Sequence, residues 1–465
     1  MKPKYKIIFL LALGVSHLGC KKYVEIKTQG ILVPKQTINY RYLLNNTNTF
    51  EASVNLADFA SNDIEIVDAS QISSLNSLSY TAYVGSYNWL PVLYPVGNSA
   101  YEQDQNWNLM YTKILNCNTI IQELPASDGS DAEKSKLIAE ALVHRADAYL
   151  VLVNTYAKPY NSASAATDLG VPLLLTQTVS QKLNRASVEA IYSQVIKDLT
   201  DAIPFLPDIQ AYNTLPSKVS AYGELARCYL YMKDYQNAAK YADMALVIRS
   251  TLNDLGALTV VNTTNYPRRI ADPEILLSKI SIGGAVGFAP TALRLSNEFL
   301  TLLGTRDQRY ILFTTPAATI SANYTGRFFY MERAVGETRN YGPSVPEMML
   351  IKAEAFARAG DVSSAMTWVN RLRIKRFTPA NYTPLTATDA KDALVKVIDE
   401  RRREFFGRML RWWDMRRLKN EAPFERTYTR NYGTVTYSLE PNSSRYVFPI
   451  AEYITNLNPE LEKNP

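Results

Sequence analysis

The chain has 465 residues, 47% hydrophobic and 20% charged, a balance that excludes an extended disordered chain and calls for a large buried core. Its formal charge is +6; a signal-like N-terminus holds three of the lysines and no acid, which leaves +3 on the body. That is too little for the strong basic field of a general nucleic-acid binder.

In chain order, residues 1–20 read MKPKYKIIFLLALGVSHLGC, with Lys2, Lys4 and Lys6 ahead of an apolar run from Ile7 to Val15. The run is too short to cross a bilayer and predicts a secretory signal peptide over 1–19. Leu18-Gly19-Cys20 is like a bacterial lipobox, so Cys20 is expected to carry diacylglycerol and hold the chain on a membrane surface without a transmembrane helix. No later run approaches the roughly eighteen apolar residues of a span.

Residues 21–100 are rich in Gly, Pro, Asn, Thr and Tyr, and are read as irregular loops with short hairpins. Within them, TAYVGSYNWLPVLYP (81–95) sets Tyr83, Tyr87, Asn88, Trp89 and Tyr94 among Gly and Pro. Aromatic rings on a polar loop can stack on the apolar face of a sugar, so these five are the first candidates for ligand contact.

Apolar residues then recur at three- and four-residue spacing over 103–124, 132–156, 187–203, 217–230 and 235–249, which predicts helices. His144 is the one histidine after the signal segment, which excludes any two-imidazole zinc site; no metal, catalytic residue or cofactor is expected. It is read as a satisfied structural residue. Cys117 and Cys228 lie in apolar helical patterns, as two separate buried thiols or as a disulfide.

SAYGELARCYLYMKDYQNAAKYADMAL (220–246) puts Tyr222, Leu225, Ala226, Tyr229, Ala238, Ala242 and Ala245 on the tetratricopeptide pattern of a close helical hairpin. The pattern recurs 127 residues on: Met349, Ala353, Phe356, Ala365, Val369 and Leu372 take the equivalent places, and Asp361 matches Asp234. Lys352 is the misfit. Such units stack, because none can bury its face alone.

Between the repeats, 251–344 is a second loop-rich segment, with strand-like runs at 258–261 and 327–331. Tyr324, Arg327, Phe329 and Tyr330 are its candidates for ligand contact. Helices are predicted again over 345–359, 362–376 and 389–418. The last ends in ERRREFFGRMLRWWDMRRL (400–418), with seven Arg and the pair Trp412-Trp413. Helical spacing pairs Asp399 with Arg403, Glu404 with Arg408, and Asp414 with Arg411 and Arg417, so the stretch reads as a packed helix that buries at least one Trp. Residues 420–465 are read as an irregular C-terminal extension with a strand-like 446–448.

Several further motifs stand in a definite order: KKYVEIK after Cys20, Leu32-Val33-Pro34, Tyr42-Leu43-Leu44, the helix from Asn106 to Tyr111, Tyr156-Ala157-Lys158-Pro159-Tyr160 and Asp168 to Leu173. Arg185 to Val188, the D-x-R of Asp307 and Arg309, the Arg-Trp helix above, and Phe448-Pro449-Ile450 to Asn464-Pro465 follow. This order resembles the SusD/RagB family of outer-membrane nutrient-uptake lipoproteins of Bacteroidetes. Arg408-Met409 departs from the Glu-Gly the family often has there.

The resemblance implies a mainly α, SusD-like superhelix of tetratricopeptide-like hairpins with loop-rich insertions and a few short β-hairpins. It implies one domain over 20–465, with a helical scaffold at about 101–250 and 345–420, ligand-side segments at about 21–100 and 251–344, and the extension 420–465. It also implies a non-catalytic surface protein, lipid-anchored on the outer membrane and facing outward. Such a protein captures an oligosaccharide, or in some branches a peptide, for a SusC-like TonB-dependent transporter. Two rivals are a lipid-anchored glycoside hydrolase, which needs two carboxylates about 5–10 Å apart, and a periplasmic tetratricopeptide assembly factor.

Overall fold

The computed structural model of the protein describes residues 35–178, 180–281 and 293–464. The predicted signal peptide, Cys20 and the Leu32-Val33-Pro34 opening lie outside them.

The longer helices are α1 (Gln105–Glu123), α2 (Asp131–Tyr156), α3 (Val188–Ala202), α4 (Lys218–Tyr231), α5 (Tyr235–Ile248), α6 (Val345–Arg358), α7 (Val362–Arg373), α8 (Ala390–Phe405) and α9 (Leu410–Leu418). Neighbours in sequence pack as antiparallel hairpins, and α5 packs directly on α6 although about a hundred residues separate them in the chain. The 249–344 insertion therefore loops out without breaking the stack. α2 runs through the middle: Leu150, Val151, Leu152 and Val153 are all buried. Burying each such side chain contributes about 1.5–3 kcal/mol.

Local chemistry sets the helix starts. Asp104 accepts from the backbone N–H groups of Asn106 and Trp107, and Ser130 from that of Glu133. The matched aspartates of the two repeats do the same work: Asp234 caps α5 through Asn237 N–H and Asp361 caps α7 through Ser364 N–H. The residue before each is left-handed, Lys233 at φ +63° in the first repeat and Gly360 at φ +85° in the second. Ala226, Ala238, Ala353 and Ala365 are fully buried where helices approach closely, while Tyr229 is half-buried and stacks on Tyr241 at 5.6 Å. The misfit Lys352 has partners of its own: it pairs with Asp243 and lies over the Trp368 ring at 4.3 Å.

Three expectations are corrected. The helix over 389–418 is two helices: Gly407 (φ +69°) and Met409 (φ +53°) break it, and Met409 N–H turns to the buried carboxylate of Asp58. Residues 35–100 are largely helical turns, including Thr37–Leu44, Leu56–Ala60, Ala69–Leu75 and Thr81–Tyr87, because they wrap the scaffold and bury Tyr40, Phe59 and Ala60. Neither 258–261 nor 446–448 is a strand.

Among the described residues the strands form four two-stranded pairs. β1 (Ala52–Ser53) is parallel to β4 (Ile280–Ser281). β2 (Leu169–Pro172) with β3 (Arg185–Ser187), β5 (Thr314–Pro316) with β6 (Arg327–Phe329), and β7 (Tyr428–Tyr432) with β8 (Val435–Leu439) are antiparallel. In the last, Gly433 (φ +60°) leads a two-residue turn whose twist matches the strands.

Cys117 and Cys228 are free and buried, so the disulfide alternative falls; burial pushes the Cys117 thiol up to about 12. His144 is buried against the Phe50 ring, and its Nδ1 lies 2.9 Å from Lys279 Nζ. Burial, with Lys279 and Lys113 adding to it, holds the imidazole neutral.

Glu224 lies in the same core with neither carboxylate oxygen hydrogen-bonded. Burial pushes it up to about 7, against the pull of Arg227. The native state therefore keeps a proton that an unfolded chain has already released, and loses stability as pH rises from the ordinary Glu range through 7. The loss at full ionisation is roughly 3 kcal/mol. Urea denaturation of Glu224→Gln should show a smaller fall in stability from pH 5.5 to pH 8 than the parent chain. Parallel curves for the two proteins would show that the carboxyl is solvated.

Candidate functional site

The structure brings the two loop-rich segments together. Helix Ala69–Leu75 meets the loop before β6: Ser70 Oγ donates to Asn323 O at 2.7 Å, and the hydroxyls of Ser74 and Tyr324 lie 3.0 Å apart. Asp68 accepts from the N–H and hydroxyl of Thr325 at 2.9 and 2.8 Å, and Arg294 Nε donates to Thr325 O at 2.8 Å.

Half-buried aromatic rings border this seam. Tyr324 stacks on the buried Phe328 at 5.7 Å and 25°. Arg327 lies over the Tyr310 ring at 4.1 Å, with Nε on the Thr314 hydroxyl at 2.8 Å. Tyr330 is half-buried beside it in sequence, and Tyr80 and Tyr83 are half-buried against the hydrophobic cluster that holds Phe59 and Phe329. Burial raises the Tyr83 phenol, and Phe59 meets its ring at 5.0 Å. Leu78 and Val67 are exposed nearby in sequence. Rings held on one side by the core, with hydroxyls and amides at their edges, suit a ligand that is apolar on its faces and polar at its rim.

Not every candidate reaches this surface. Tyr87, Asn88, Trp89 and Tyr94 are buried, a correction to their expected exposure. Tyr87 accepts from Ile66 N–H at 2.9 Å, and Trp89 donates its indole N–H to Ala60 O at 3.0 Å. The Arg430 guanidinium lies over both rings, 4.4 Å from Tyr87 and 4.1 Å from Trp89, and is itself held by the carbonyls of Phe59, Ala60, Ser61 and Tyr87. The Tyr94 phenol is raised by burial, then by Asp104 beside it. Phe329 is likewise core, packed on Phe406 at 5.4 Å. Tyr83, Tyr324, Arg327 and Tyr330 remain at the surface; Tyr80 and Ser74 join them and were not singled out from sequence.

The arginine-rich stretch is interior. Trp412 and Trp413 are both buried. Of the expected local pairs, Asp414 with Arg417 forms at 2.7 Å; Asp414 otherwise pairs with Arg401, while Arg411 donates to Asn62. Glu404 pairs with Arg309 and Arg376 rather than with Arg408. Such guanidiniums bind the insertion and the N-terminal segment to the scaffold.

Among known proteins, one family model, described as starch-binding associating with outer membrane, matches residues 22–230, and a second, the SusD family, matches 345–465. A SusD-like protein of Formosa agariphila is 24% identical, over 90% of this chain and 91% of its own. A SusD superfamily protein of Bacteroides thetaiotaomicron superposes with a TM-score of 0.71 at 20% identity, covering 92% of this chain and 100% of its own. A SusD-like carbohydrate binding protein of Bacteroides vulgatus gives 0.67 at 20% identity, covering 92% and 97%. These two structures share the fold. With both ends of the helical stack matched in order by its models, the chain belongs to the SusD/RagB family.

Proposed function

We propose that the protein is a binding protein of the outer membrane that captures an oligosaccharide and hands it, uncleaved, to a SusC-like TonB-dependent transporter. Cys20 carries the lipid anchor, residues 20–465 act as one domain, and the loop-rich face looks outward. The observation that carries the reading is a starch-binding family match over residues 22–230 that includes Ser74, Tyr80 and Tyr83, on the face where Tyr324 and Arg327 sit. Stacking on such rings selects a ligand without requiring a reactive group.

One neighbouring pair of raised carboxyls offers a glycosidic bond no room. Burial raises both Asp272 and Glu274, which line a cavity of about 30 Å³, space for a water rather than a sugar.

A glycan array with residues 21–465 tests the reading. Tyr324→Ala should weaken the positive glycan about tenfold, the loss of one stacked ring. Unchanged affinity in both Tyr324→Ala and Tyr80→Ala would remove this face from the site.

A further inference from the structure

A cavity of about 960 Å³ lies away from that face, between the 158–169 loop, the turn after α4, the end of α9 and the C-terminal segment. Its lining holds seven Lys and Arg side chains against one acid, Asp168, which is already bound to Lys158 at 2.7 Å and to Ser164 at 2.6 Å. Arg417 is neutralised by Glu354 and Asp414, and Lys463 faces Glu452 at 3.7 Å.

Four cations remain without a carboxylate partner among the described residues. Arg185 donates only to carbonyls, of Tyr156, Leu169, Gly170 and Glu462. Arg416, 2% exposed, holds the carbonyls of Asn154 and Ala157, and its Nε has no partner. Lys419 donates to Pro441 O at 2.6 Å. Lys233 keeps a left-handed backbone where the sister repeat uses Gly360. Glycine adopts that conformation with less strain than lysine. Burial lowers the pKa values of Arg416, to about 10, and of Lys233 and Lys419; at Lys233 it outweighs the opposing pull of Glu421.

The other walls are not those of a bare ion site. Tyr446 has a buried hydroxyl with no partner, Tyr160 presents a half-buried ring, and Asn161, Asn420 and Asn442 supply amides. The volume is in the upper part of the range of ligand cavities, about 300–1,000 Å³. Rings and amides recognise sugar faces and hydroxyls; unpaired guanidinium and ammonium groups recognise carboxylate or sulfate.

We propose that this cavity is a second ligand site that takes an acidic oligosaccharide, with a carboxylate or sulfate group set among Lys233, Arg416 and Lys419. The assignment rests on the glycan-binding reading above.

Calorimetric titration of residues 21–465 with tetragalacturonic acid, a chondroitin sulfate tetrasaccharide and a neutral oligosaccharide positive on the array tests it. At least one acidic ligand should bind, weaken as salt rises, and lose tenfold or more in Lys233→Ala/Lys419→Ala, neither of them a buried residue. The neutral ligand should bind that variant unchanged. Acidic ligands that fail to bind, or that bind parent and variant alike, overturn the proposal and leave the neutral-glycan reading standing. Binding of none of the three overturns both. Thermal stabilisation by sodium sulfate equal to that by the acidic sugars would make this an adventitious anion site only, and would also overturn the saccharide assignment.

Discussion

Arg309→Met should destabilise the protein by about 3–5 kcal/mol in urea denaturation at pH 7, the cost of breaking a buried ion network by removing one partner. Arg309 is 1% exposed and binds three carboxylates: Asp307 at 2.6 Å, Glu400 at 2.7 Å and Glu404 at 2.7 Å. Two of these are on α8 and one opens the short helix Gln308–Phe313, so the guanidinium fastens the insertion to the scaffold. Glu400 is shared with Arg373 and Arg403, and Glu404 with Arg376, which also holds Glu274. Methionine fills the space and removes the charge, leaving buried acids in excess.

Arg309→Lys keeps the charge but cannot fork to three partners, and should lose less, about 2 kcal/mol. The pH dependence separates charge from packing. Burial alone would raise the Glu400 carboxyl; Arg309, then Arg373 and Arg403, more than offset it and hold it far below the usual carboxylate range. That contribution is present above the unfolded Glu value and is lost as pH falls toward the folded one. The deficit of Arg309→Met should therefore stay level above the ordinary Glu range and shrink as pH falls below about 4.3. A deficit independent of pH would mean that the side chain matters through its packing.

The D-x-R pair was legible in sequence as a motif, and its partners were not, because nothing local specifies that Glu400 and Glu404 meet it. The same limit explains the arginine-rich stretch. Helical spacing offered Arg408 to Glu404, but buried charges are settled by whichever partner the tertiary fold supplies, here Arg309 and Arg376. Helices and repeats were legible for the opposite reason. Ala226 and Ala353 mark close approaches by their size, and Asp234 and Asp361 cap the helices that follow within three residues.

The candidate site was legible in part. Trp89 lies among Asn and Pro, a context that predicts a loop, but Arg430 from the far end of the chain covers its ring. Tyr324 and Arg327 stay outward at the turn that leads into β6, whose Phe328 and Phe329 are buried and whose backbone is taken up by β5 on one side and the Arg294 segment on the other. The basic cavity left only faint marks, such as Arg416-Arg417-Leu418-Lys419, since it forms where four segments of the chain meet.

Trp412→Ala should cost a further class of stability, about 3–5 kcal/mol, by emptying the middle of an aromatic stack. Trp412 is fully buried between Tyr446, at 5.4 Å and 17°, and Phe448, at 5.8 Å and 19°. These rings hold the C-terminal segment against α9, and Phe448 N–H continues the contact to Thr155 O on α2. The Trp412 indole N–H has no hydrogen-bond partner among the described residues, so its contribution is the ring itself. Trp412→Phe should accordingly lose much less, about 1–2 kcal/mol. Because Tyr446, Asn442 and Lys463 line the basic cavity, the alanine variant should also open 420–464 to limited proteolysis. It should weaken acidic ligands while sparing those bound at the Tyr324 face. Equal losses from the alanine and phenylalanine variants would show that the stack contributes little to holding the segment, and proteolysis confined to other loops would detach the cavity from it.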